Sequence, residues 1–129
     1  MPRVIDCDLP DTVGRAYDEA CHVELMKLPM ASAVMIIRAL EASLKDIDPA
    51  TRSIADGLKR MKEKGVLPDE FTAWSNELRV LRNEAAHPSE REVLGTDVSE
   101  ALDFLQAVLE LLYHFRPKFQ RFKARRGAP

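Results

Sequence analysis

Cysteine is scarce: Cys7 and Cys21 are the only two among 129 residues. Two are too few for a disulfide framework, and they lack the Cys-x-x-Cys spacing of a structural zinc site. Adding His22, His87 and His114 brings no pair to a ligand spacing, because the neighbours Cys21 and His22 point in different directions on a helix. Both cysteines are therefore expected as thiols, and no metal or other cofactor is expected. Glycine is also sparse, at five residues, and none belongs to a phosphate-cradling loop or a nucleophile elbow. No apolar run approaches the roughly 18 residues that a membrane span needs. The first residues, Met1-Pro2-Arg3-Val4-Ile5-Asp6-Cys7-Asp8, show no apolar segment followed by a cleavage site. A single domain over 1–129, in the cytoplasm and with no membrane partner, is the expectation.

Charge is present in quantity but is unevenly spread. The net charge is −2, from 19 Lys and Arg against 21 Asp and Glu. Arg116, Lys118, Arg121, Lys123, Arg125 and Arg126 crowd the last fourteen residues with no acid among them, which leaves the first 115 residues at −8. A basic extension over 117–129, with Lys118, Arg121, Lys123, Arg125 and Arg126 as contacts, can displace counterions from a nucleic acid. A solvated chain end is the plainer alternative. Phe115, Phe119 and Phe122 recur at helical spacing through this stretch and could also extend a packed helix.

The prolines fall between periodic segments, as in helices joined by short turns, and no strand pattern competes. Five helices are expected. The first covers Asp11 to Met26, burying Val13, Ala16, Tyr17, Ala20 and Cys21. The second opens at Pro29 and ends near Ile47, with a stripe of Met30, Ala33, Val34, Ile37, Leu40 and Leu44. The third is bracketed by Asp48-Pro49, read as N-cap and first helical residue, and by Lys64-Gly65. The fourth follows Leu67-Pro68-Asp69, carries Phe71, Trp74, Leu78, Leu81 and Ala85, and stops at Pro88. The fifth begins at a capping box of Asp97 and Glu100, with Val98, Leu102, Leu105, Leu109 and Leu112 inward. The expected fold is all-α, an antiparallel bundle of four to five helices. Pairing with a second copy would add to its small core.

The polar residues outside this pattern concentrate at the end of the fourth helix, in Leu78-Arg79-Val80-Leu81-Arg82-Asn83-Glu84-Ala85-Ala86-His87-Pro88. Arg79, Asn83 and His87 share one face, whereas Arg82 and His87 lie about 140° apart on an ideal helix. Both could meet one atom if the helix ends before Pro88 or if a second copy supplies one of them. Arg38 and Glu41 interrupt the apolar surface of helix two, where they can pair with each other or reach helix four. Histidine exchanges a proton near neutral pH and guanidinium grips phosphate oxygens with paired donors. Together they suit phosphodiester chemistry in RNA, whose 2′-hydroxyl is an internal nucleophile. The same residues also suit a helix cap and a surface ion pair.

Arg82-Asn83-Glu84-Ala85-Ala86-His87 resembles the R-N-x-x-x-H motif of the HEPN superfamily, helical domains many of which are metal-independent RNA-cleaving toxins and defence effectors. Leu9-Pro10, Tyr17-Asp18-Glu19-Ala20, Arg38-Ala39-Leu40-Glu41 and Asn83 to Pro88 resemble one branch of it, known as a domain of unknown function and often found beside or fused to restriction-modification proteins. The resemblance spans roughly 9 to 115 and implies a HEPN-like homodimer in which both motifs line one cleft. It implies His87 as general acid or base, Arg82 on the transition-state phosphate and Asn83 orienting the motif, with Arg79, Glu41 and Arg38 in support. The branch more often has its arginine at the position of Arg79 and a glycine at that of Arg82, so this sequence satisfies both spacings. Two functions follow as expectations: a homodimeric metal-independent endoribonuclease of toxin or phage-defence type, or a non-catalytic nucleic-acid, nucleotide-binding or dimerisation module. RNA and a neighbouring defence or restriction subunit are the implied partners.

Overall fold

The structure, a computed structural model, describes residues 5, 7–86 and 93–127. It is an all-α bundle, and no strand occurs among the described residues. Its helices are α1 (Asp11–Leu25), α2 (Pro29–Ile47), α3 (Ile54–Glu63), α4 (Asp69–Ala86), α5 (Gly95–Glu110) and α6 (Arg116–Arg125), with a π-helical turn, Leu111–Phe115, joining the last two.

Helix α2 is the axis of the bundle. It packs on α1, α3, α4 and α5, and this explains where its sequence pattern misleads. Ser32, Ile36, Ala39 and Ser43 are buried beside Ala33, Ile37, Leu40 and Leu44, while Met30 and Val34, expected in the core stripe, are exposed. A helix with neighbours on several sides buries a wide arc, so the stripe shifts away from Met30 and Val34. Ser32 and Ser43 are tolerated in that arc because each hydroxyl donates to a backbone carbonyl, of Ala20 at 3.4 Å and of Leu40 at 2.7 Å. Every residue expected inside the first and fifth helices is buried, although Leu112 falls in the π turn and not in α5. Cys21 is buried and Cys7 half-buried, both as thiols.

The start of the third helix differs from expectation. Asp48 does not cap α3; it ends α2, in extended conformation, because the residue before a proline is driven out of the helical region. Its carboxylate accepts from Ala50 N–H at 3.1 Å and binds Lys64 at 2.7 Å and Arg60 at 3.4 Å. The Lys64 hydrogen bond, followed by that from Ala50, holds the Asp48 carboxyl below its usual range. The true cap is Ser53, which accepts from Asp56 N–H at 3.1 Å, while Asp56 accepts from Arg52 N–H at 3.0 Å. Gly65 ends α3 as expected, at φ 67°, where Val66 N–H reaches back to Met61 O at 2.9 Å. Gly57 lets α3 close on α2: a Cβ there would sit 2.8 Å from Thr51 Cγ2 and 3.1 Å from Leu44 Cβ. The cap of α5 also shifts: Asp97 is its third residue and accepts from Leu94 N–H at 3.1 Å, so Asp97 and Glu100 are not the capping pair.

The tail is ordered helix, but it is not packed. Pro117 has no N–H and would clash in a regular helix, and the π turn just before it absorbs the fault, with Arg116 N–H bonding Leu111 O. Tyr113 in that turn donates to Asp46 at 2.8 Å and ties it to the end of α2. Beyond it α6 buries no residue, and Phe115, Phe119 and Phe122 are 52%, 60% and 50% exposed. The reading of these phenylalanines as a packed helix is thus overturned, because α6 passes beyond the bundle and, among the described elements, touches only the π turn.

Candidate functional site

The site begins with a row of polar side chains on α4. Ser75, Arg79 and Arg82 stand at i, i+4 and i+7, one flank of a helix. Ser75 is fully buried and both arginines are half-buried, and Ser75 Oγ, Arg79 Nε and Arg82 Nε are buried with no hydrogen-bond partner among the described residues. Nearly all buried polar atoms in folded proteins find a partner, so three without one in successive turns mark a place where packing alone does not explain the sequence. Asn83 follows Arg79 by one turn and is exposed. Two guanidinium groups with inward, unsatisfied Nε atoms and an exposed amide between solvent and helix give planar donors for an anion with several oxygens.

Three positions anticipated for this site, Arg79, Arg82 and Asn83, therefore share the last two turns of α4. His87 lies outside the described residues, one residue past the end of α4. Ser75 was not anticipated from sequence, although its spacing to Arg79 and Arg82 was visible there.

The supporting pair on α2 does not form as expected. Arg38 is exposed, and Glu41 is half-buried and pairs with Lys45, one turn on, at 3.5 Å. Helices α2 and α4 are neighbours, yet among the described residues no hydrogen bond or ion pair joins Arg38 or Glu41 to α4. The buried arc of α2 leaves both residues on its solvent side, which is why they miss the neighbour.

Lys118, Arg121, Lys123, Arg125 and Arg126 are all exposed on α6 and its cap. Lys123 Nζ sits 5.6 Å from the Phe119 ring centre and the Arg125 guanidinium 5.5 Å from that of Phe122, cation–π contacts that keep the charges beside the aromatic stripe.

A second feature lies on another side of α4. A groove of about 620 Å³ opens between α4 and α5, floored by Trp74, Leu78, Leu81, Ala101 and Phe104 and edged by Glu77, Glu84, Asp97, Glu100 and Asp103. Trp74 meets the edge of Phe104 with centres 4.5 Å apart and is 57% exposed, so it walls the groove instead of filling the core as its place in the apolar series implied. Among the described residues no group of three or more His, Cys, Asp and Glu gathers as a metal site, and no helix is long and apolar enough to cross a membrane.

No curated protein and no solved structure matches the chain. A family model described as Domain of unknown function (DUF4145) matches residues 18–125, from the second turn of α1 to the last residue of α6. The chain belongs to that family.

Proposed function

We propose that this protein is a HEPN-like, metal-independent endoribonuclease of toxin or phage-defence type, working in the cytoplasm as a homodimer whose two motifs share one cleft. The observation that carries the reading is the pair of half-buried guanidinium groups of Arg79 and Arg82, each with an unpartnered Nε, placed one and two turns before the motif histidine. The outer nitrogens of these half-buried side chains are the donors that a phosphate outside the chain can reach.

In this reaction His87 accepts the proton of the RNA 2′-hydroxyl. The 2′-oxygen attacks phosphorus and the bond to the 5′-oxygen breaks. The leaving oxygen takes a proton from the histidine of the second motif, which yields a 2′,3′-cyclic phosphate and a 5′-hydroxyl. Arg82, with Arg79 beside it, stabilises the charge that grows on the phosphoryl oxygens. Asn83, exposed between them and His87, orients the motif. The bases of α6 turned away from its phenylalanines, Arg121 foremost, hold the RNA backbone. A neighbouring restriction or defence subunit is the expected partner.

The test is cleavage of total RNA in excess chelator by the parent protein and by His87→Ala, Arg79→Ala and Arg82→Ala. Cleavage lost with His87→Ala and reduced about 100-fold or more in one arginine variant supports the reading and selects the arginine on the phosphate. Equal cleavage by His87→Ala overturns it. Salt-sensitive RNA binding by a folded parent that never cleaves overturns it in favour of a binding module.

A further inference from the structure

Helix α6 buries no residue in the bundle, and we propose that it is a peripheral membrane-binding element. Its phenylalanine stripe enters the surface of an anionic phospholipid bilayer, and the bases on either side of the stripe hold the headgroups. The proposal rests on surface chemistry and does not depend on RNA cleavage.

Three observations carry it. The first is the layout of the helix. Phe119 and Phe122 lie about 60° apart around the axis, and Phe115 stands one turn before Phe119, at the end of the π turn. All three are half or more exposed. By position on the helix, Arg116 and Lys123 border this stripe on one side and Lys118 and Arg125 on the other, while Gln120 and Ala124 lie away from it. Aromatic residues between two rows of Lys and Arg are the pattern of a helix lying in a membrane interface. The rings sit at the acyl boundary, and the long basic stems reach up to the phosphates.

The second is charge and reach. No acid occurs from Leu111 to Pro129, where six bases gather, and the first 115 residues carry −8. An anionic leaflet attracts basic residues near its surface and repels the acidic body, so contact is confined to α6. This helix passes beyond the bundle and, among the described elements, touches only the π turn, so it can lie down on a surface without unpacking the core. No helix among the described residues is long and apolar enough to cross a membrane. Helix α6 needs only to lie on one, so the expectation of no membrane partner gives way here.

The third is the state of the rings, which favours lipid over nucleic acid as the occupant of the stripe. A nucleobase stacks on an open ring face, and here Lys123 Nζ and the Arg125 guanidinium already stand over Phe119 and Phe122, at 5.6 and 5.5 Å. In a bilayer surface these contacts persist, with each cation at headgroup level above its ring, and they strengthen as water leaves. Arg121 lies about 100° from Phe122 and 160° from Phe119, on the side where it can hold RNA.

The experiment is flotation of the full chain with vesicles of phosphatidylcholine and with vesicles that also carry about 30% phosphatidylserine, in low and in high salt. The variants are F119S/F122S, K118Q/K123Q/R125Q and Arg121→Gln. All lie on a helix with no buried residue, and circular dichroism checks that each keeps the parent's helix content. The parent is expected to float with the anionic vesicles and not with the neutral ones, and to float less in high salt. Each multiple variant is expected to raise the lipid concentration at half-binding about tenfold or more, and Arg121→Gln to change it far less. A parent that floats with neither vesicle overturns the proposal. So does anionic binding that F119S/F122S leaves unchanged, since charge alone then accounts for it. A labelled single-stranded RNA oligonucleotide is titrated into the same preparations. RNA binding that is lost in F119S/F122S, by a parent that does not float, assigns the stripe to RNA and overturns the proposal.

Discussion

Arg82 can be replaced by Met to ask whether the fold needs its guanidinium. Met retains a long unbranched stem, so most of the packing along α4 survives. What disappears is an Nε–H that is buried without a partner. An unsatisfied buried donor costs about 1–3 kcal/mol, and the rest of this half-buried side chain reaches water, so the lower end applies. Arg82→Met is therefore expected to stabilise the protein by about 1 kcal/mol, a rise of about 3–5 °C in Tm for a domain of this size. Arg79→Met is expected to act in the same direction. The two sit one turn apart and their effects need not add. Arg60→Met is the control: its guanidinium binds Asp56 at 3.0 Å and Asp48 at 3.4 Å, so its loss is expected to lower stability. Urea unfolding, read as a change in midpoint at constant slope, distinguishes these cases. If Arg82→Met and Arg79→Met lower the midpoint as Arg60→Met does, the two arginines are structural ties and the argument for a ligand of α4 fails.

Gly57→Ala and Gly14→Ala are expected to differ in sign: a Cβ at Gly14 meets only Leu9 Cβ at 3.6 Å, whereas at Gly57 it meets Leu44 Cβ at 3.1 Å. The first should gain about 0.5–1 kcal/mol of helix propensity, and the second should lose about 1–2 kcal/mol net to overpacking, both measurable by urea unfolding. The Asp48 carboxyl is held below the ordinary carboxylate range by Lys64, Ala50 and Arg60, so its contribution is present above that range and is lost as pH falls through the lowered folded-state value. Asp48→Asn should flatten the acid limb of a stability–pH profile, and an unchanged limb would contradict the assignment. Burial, with the hydrogen bond to Asp46, raises the Tyr113 pKa. Tyr113 should therefore stay protonated beyond the ordinary value of about 10, and the linked stability falls at higher pH, as the phenolate absorbance in an alkaline titration of parent and Tyr113→Phe will show.

Much of the fold was legible because helices announce themselves by period. Helix α2 runs from Pro29 to Ile47 as the proline and the apolar repeat required, and every residue expected inside α1 and α5 is buried. The failures share a cause: local signals do not reveal neighbours. Met30, Val34 and Trp74 fit their stripes by spacing alone, but which arc of a helix is buried depends on what packs around it. Asp48-Pro49 carries the chemistry of a cap but ends α2, while Ser53 and Asp56 hold the same signal at the true boundary, the cap lying five positions after Asp48. At the site, the arginine spacing was plain in the sequence. The unpartnered state of Ser75, Arg79 and Arg82 was not, because it depends on what the facing helices fail to offer. The groove could not be seen at all, since it arises from the splay between α4 and α5.

The central claim is that the end of α4 holds RNA for attack by its own 2′-hydroxyl. One measurement addresses it most directly: incubation of the folded protein, in chelator, with an RNA oligonucleotide and with its 2′-O-methyl counterpart, followed by analysis of the product ends. The account predicts cutting of the RNA to 2′,3′-cyclic phosphate and 5′-hydroxyl ends and none of the methylated strand. An intact RNA strand, or equal cutting of both, would contradict it.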